Sequence, residues 1–175
     1  MGGSLIIFLF ILLAFSIRKS GEDYQPVLLP GYFFFSTAVI SISSATLMLG
    51  QYAFKTERYR LFYQFVLATL VLALIFCVLQ ILGWAQLFQQ GIFLANSIFG
   101  AFIYILTGLH LAHIFLGIFG LSVVLYDARK NSNYVEGYLL SLNPIKVTRI
   151  KLVAYFWHFV DILWWMIILF LWAQT

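Results

Sequence analysis

A chain of 175 residues that is 63% hydrophobic and only 9% charged falls well outside the composition of soluble domains, which run near half apolar and about a quarter charged. Its net charge of +4 comes from Lys and Arg held in short clusters between apolar runs, which argues against a nucleic-acid partner, and charge this sparse in so apolar a chain excludes disorder. Cys77 is the one cysteine, so neither an internal disulfide nor a CxxC metal site is available.

Backbone amides in lipid must be bonded internally, so long apolar runs predict helices of about 20 residues each. The first run, 4–17, is short, and Arg18 and Lys19 follow it where a signal peptide would place a small-residue cleavage site, so it reads as a retained helix. The polar stretch from Lys19 to Pro26 ends it. The second span, 31–54, is closed by Lys55, Glu57, Arg58 and Arg60. Its Ser36, Thr37, Ser41, Ser43, Ser44 and Thr46 are small and weakly polar, the pattern of a helix-packing face. The third span, 61–88, runs into an uncharged turn at Gln89, Gln90 and Gly91. The fourth, 92–126, is too long for an upright crossing and must tilt or begin in the interface. Residues 127–149 are expected to form the one substantial loop, on the cytoplasmic side, before the last span at 150–172. The prediction is an all-α integral membrane protein, a single transmembrane domain made of a bundle of five helices.

Loop charges orient it. Lys55, Arg58, Arg60, Arg129, Lys130, Lys146, Arg149 and Lys151 fall on one side, against Arg18 and Lys19 on the other. Eight against two places the N-terminus in the cytoplasm and the C-terminus outside. Trp84 and Trp172 then suit an outer aromatic belt.

Ionisable groups at membrane depth are costly unless paired, so each is a functional candidate. His110 and His113 share the fourth span, and His158 and Asp161 the fifth, both pairs at the i, i+3 spacing that puts two side chains on one helical face. They are either hydrogen-bonding residues that fix helix register, or ligands, with His110 and His158 able to hold a haem between two helices. Copper or zinc would want three or four donors, and Asp161 is the only carboxylate close by. No nucleophile–base pair, phosphate-cradling glycine loop or pair of carboxylates stands out, so no catalytic residue is expected. The prolines lie outside or at the ends of the spans and no repeat is visible, against a transporter.

Two segments carry a resemblance. Thr107-Gly108-Leu109-His110-Leu111-Ala112-His113, followed by Gly117, resembles the Thr-Gly-x-His-x-x-His segment of subunit III of the haem-copper respiratory oxidases. Trp157-His158-Phe159-Val160-Asp161-Ile162-Leu163-Trp164 is similar to that family's Trp-His-Phe-Val-Asp-x-x-Trp. The resemblance runs from about Leu29 to Trp172 and implies the short form of the family, which starts at the third of its usual seven helices. It further implies a non-catalytic subunit of a proton-pumping terminal oxidase in a bacterial plasma membrane, with haem and copper in partner subunits I and II and neither in this chain. Cytochrome c would be the electron donor. A quinol oxidase subunit and the related accessory protein of nitric oxide reductase are the alternatives, and a free-standing haem-b protein is the remote one. Under this resemblance His110, His113, Trp157, His158 and Asp161 are intramembrane packing and hydrogen-bonding residues, near bound phospholipid.

The chain departs from the family's pattern. Residues 4–17 hold no carboxylate where the family often has a glutamate, and Gly83 stands where a second often follows the glutamine matched by Gln80. Both departures weaken a direct proton-handling role. The resemblance also implies a lipid-filled cleft between the helices; lacking the first two helices of the long form, that cleft would be open on one wall, which implies a further small subunit or a respiratory supercomplex partner over that face. Arg129 and Lys130 lie where a lipid phosphate would sit, although a solvated cluster obeying the positive-inside rule accounts for them more simply.

Overall fold

The computed structural model describes residues 2–18, 29–93, 98–130 and 133–173; the polar stretch from Lys19 to Pro26 lies outside them. The described residues are all-helical: α1 (Gly2–Arg18), α2 (Gly31–Lys55), α3 (Tyr59–Gln89), α4 (Ile98–Lys130), α5 (Tyr134–Leu142) and α6 (Pro144–Trp172). Four of them, α2, α3, α4 and α6, are long and apolar enough to cross a membrane.

Local chemistry fixes the helix ends. After α3, Gly91 adopts φ +74°, Gly91 N–H bonds Phe88 O at 3.1 Å and Ile92 N–H bonds Leu87 O at 3.1 Å. This is a Schellman stop, with the left-handed residue being the glycine that tolerates it. The same motif ends α2, where Glu57 takes φ 59° and Arg58 N–H reaches Ala53 O at 2.9 Å. That glycine stop is why Ile92 and Phe93, read from sequence as the start of the fourth span, are not helical; residues 94–97 lie outside the described set.

The stretch 127–149 differs from the expected loop. α4 continues to Lys130, α5 occupies Tyr134–Leu142, and α6 begins at Pro144. Asn143 caps α6 by accepting from Ile145 N at 3.1 Å and Lys146 N at 3.3 Å, with Pro144 at the first helical position.

Buried positions follow alternating steps of three and four along α2 and α3: Phe33, Ser36, Ile40, Ser43, Leu47, Gly50 on α2; Phe62, Val66, Thr69, Ala73, Phe76, Gln80, Gly83, Leu87 on α3. This is the spacing that suits near-parallel helix packing. α2, α3, α4 and α6 close a ring in which each helix packs on the next and α6 returns to α2, while α1 lies against α4. Close approach is built in at Gly117, where a Cβ would stand 2.8 Å from the Trp157 ring, and at Gly50, where it would stand 3.2 Å from Phe65 Cβ. At one end of the bundle Asp127 of α4 accepts from Lys146 Nζ at 3.3 Å and Arg149 Nη1 at 3.1 Å, tying α4 to the start of α6.

Candidate functional site

Hydroxyls of α2 and indoles of α6 pair along one seam between those helices. Side-chain hydroxyls in a helix can donate to a carbonyl one turn back. Thr37 donates to Phe33 O at 2.8 Å, Ser41 to Thr37 O at 2.9 Å and Ser43 to Ile40 O at 2.8 Å. With their protons used by their own helix, these hydroxyls offer α6 only lone pairs. Indole N–H is donor-only and matches them. Trp164 Nε1 donates to Thr37 Oγ1 at 2.9 Å, Trp165 Nε1 to Ser41 Oγ at 3.0 Å and Trp157 Nε1 to Ser43 Oγ at 3.1 Å. The rule repeats elsewhere: Gln80 Nε2 of α3 donates to Ser36 Oγ at 3.0 Å, and Trp84 Nε1 to Thr107 Oγ1 of α4 at 3.0 Å. Trp84 thus bonds α4 through its indole N–H.

His158 bonds across the seam: its Nδ1 lies 2.6 Å from Ser44 Oγ of α2. Asp161 is half-buried one turn further on, and its Oδ1 has no hydrogen-bond partner among the described residues.

His110 and His113 part company. His110 is fully buried, its ring centroid 5.0 Å from Trp164 and 5.7 Å from Phe76, and neither ring nitrogen has a hydrogen-bond partner among the described residues. His113 is half-buried, its Nδ1 2.8 Å from Leu109 O and its ring 5.8 Å from Phe8 of α1. The i, i+3 step therefore points one imidazole into the bundle and the other toward α1.

Trp164 is the hub. It touches Phe33 of α2 at 6.0 Å, Phe76 of α3 at 5.2 Å and His110 of α4 at 5.0 Å, so all four long helices meet on one side chain. Sequence reading did not single it out, although its seven-residue spacing from Trp157 puts both indoles on one stripe.

These positions do not suit a haem slot between His110 and His158. His110 is flanked by Phe76 and Trp164, and His158, already engaged with Ser44, lies six residues before Trp164, about 9 Å along the helix at 1.5 Å per residue. Among the described residues no three His, Cys, Asp or Glu side chains group as metal ligands. At Gly83 the Phe33 ring fills the space, since a Cβ there would stand 2.5 Å from Phe33 Cε1. Arg129 and Lys130 are exposed at the end of α4.

Known proteins are similar to this chain in sequence. A chain from Corynebacterium diphtheriae named cytochrome c oxidase subunit 3 is 31% identical over 130 residues, 73% of this chain and 58% of that one. A probable quinol oxidase subunit 3 from Staphylococcus saprophyticus is 26% identical over 128 residues, 73% of this chain and 59% of its own. Cytochrome c oxidase subunit 3 of Thermostichus vulcanus is 28% identical over 135 residues, 77% of this chain and 61% of its own. The chain thus spans about three fifths of the length of the curated relatives it matches. The family model described as cytochrome c oxidase subunit III matches residues 22–174, which takes in both motif segments and every hydrogen bond of the α2–α6 seam. By that match this multi-pass membrane protein belongs to the cytochrome c oxidase subunit III family.

Proposed function

We propose that the chain serves as subunit III of a respiratory haem-copper terminal oxidase, in which electron transfer to oxygen is coupled to proton pumping. In this reading it is non-catalytic: it packs on subunit I beside subunit II, stabilises the catalytic subunit and supports its uptake of protons and oxygen. What carries the reading is the family match over residues 22–174. The relatives named for cytochrome c support that donor, and the probable quinol oxidase relative keeps quinol as the second reading.

The proposed topology has α1 as a fifth crossing, 17 residues or about 26 Å of helix, just short of a typical hydrocarbon core. In this reading the membrane is a bacterial plasma membrane, and the eight clustered cations support a topology with the N-terminus inside and the C-terminus outside. The polar side chains of α4 and α6 act in this reading as register pins, and the apolar outer faces offer the packing surface for partner helices and lipid.

The test is a mild-detergent purification of the tagged chain with subunit masses and a reduced-minus-oxidised spectrum. Co-purified haem-copper subunits, with the separated chain colourless, are expected. A chain that purifies alone with stoichiometric haem would overturn the proposal.

A further inference from the structure

A cavity of about 290 Å³ opens at the cationic end of the bundle, where the α2–α3 turn meets α5 and the start of α6. Its lining joins residues far apart in sequence: Gln51, Phe54 and Lys55 from α2, Tyr59 from α3, and Ile150 and Lys151 from α6. The wall is mainly apolar, with two ammonium groups from different helices at its rim. Among the described residues the only acid lining it is Glu57, and its carboxylate accepts the Tyr134 hydroxyl at 2.8 Å. Two cations against one engaged carboxylate leave the cavity net positive. α5 is held over it by close packing, since Gly137 lies so near the Tyr59 ring that a Cβ there would overlap it.

An apolar wall under a cationic rim, at the end of membrane-length helices, matches the junction of an acyl chain with a phosphate. We propose that this cavity binds the phosphodiester headgroup of an anionic phospholipid, with Lys55 and Lys151 on the phosphate and Phe54 and Ile150 against the glycerol and upper acyl chain. A soluble anion would gain nothing from the apolar wall, whereas a lipid uses both halves. The site does not depend on the oxidase assignment. It is distinct from Arg129 and Lys130, which do not line it.

The test uses the full chain, with any subunits that co-purify, stripped of lipid and titrated with phosphatidylglycerol or phosphatidylcholine in mixed micelles, the bound lipid being read by native mass spectrometry. Phosphatidylglycerol is expected to bind about tenfold more tightly, with Lys55→Gln/Lys151→Gln abolishing the preference and Lys55→Arg/Lys151→Arg keeping it. Arg129→Gln/Lys130→Gln removes equal charge from the same end and is expected to leave the preference within about twofold. Equal losses in the two neutralised pairs would reduce the effect to general surface attraction and overturn the site. Displacement of the lipid by millimolar inorganic phosphate would also overturn it, showing a free-anion site instead. Because these lysines are exposed, the arginine pair separates lost binding from lost folding.

Discussion

His158 Nδ1 and Ser44 Oγ meet at 2.6 Å across the α2–α6 seam. Ser44→Ala is expected to destabilise the bundle by about 1–3 kcal/mol, since it leaves a half-buried imidazole without its partner. A double-mutant cycle with His158→Ala, read by thermal unfolding in detergent, should be non-additive. Additive losses would mean that the contact contributes nothing.

If both residues set helix register, as proposed, His158→Leu and Asp161→Leu should each weaken retention of this chain in the proposed oxidase while leaving its haem spectrum unchanged. Loss of haem from Asp161→Leu with the chain still retained would refute that role.

Trp164→Phe keeps the ring among Phe33, Phe76 and His110 but loses the N–H to Thr37, at an expected cost of about 1 kcal/mol. Trp164→Ala empties the hub and should cost about 3–5 kcal/mol. Equal unfolding temperatures for the two variants would show that the indole is not central.

Gly83→Ala should destabilise by about 1–3 kcal/mol through overlap with the Phe33 ring, and Phe33→Leu should partly rescue it. Gly83→Glu, which places a carboxylate where the resemblance expects one, should fold only when Phe33 is reduced. Wild-type stability of Gly83→Ala would mean that the ring yields without cost.

Tyr134 lies outside the spans, and its hydrogen bond to Glu57 holds the phenol above its usual range, with the charge of that carboxylate adding to the effect. A raised folded value means that the tether is intact through neutral pH and is lost as pH climbs above about 10. Hydrogen exchange in 134–142 should therefore rise at alkaline pH, and Tyr134→Phe should show the faster exchange already at pH 7. Identical profiles would remove Tyr134 as the anchor.

The long helices were legible because lipid demands them: apolar length alone marks a crossing. The inward faces were not, since lipid and interior are both apolar and the contrast that betrays an amphipathic helix is missing. On α2 the signal is reversed: Ser36, Thr37, Ser43 and Ser44 mark the inside, so that face could be read from sequence. Trp164 carried no such mark, its role being set by three other helices. The stretch 127–149 was misjudged because a capping Asn143 followed by Pro144 outweighs the charged composition that suggested a loop.

The way α2 spends its hydroxyl protons also bears on how the chain is made. Helices leave the translocon one after another, and Ser44 is synthesised 114 residues before His158. At roughly 5–20 residues per second, α2 waits on the order of ten seconds in the membrane for its partner. Thr37, Ser41 and Ser43 cost little over that interval, since their O–H groups are already bonded to their own backbone. The donor-only indoles arrive last, on the final helix, and find their acceptors already in place.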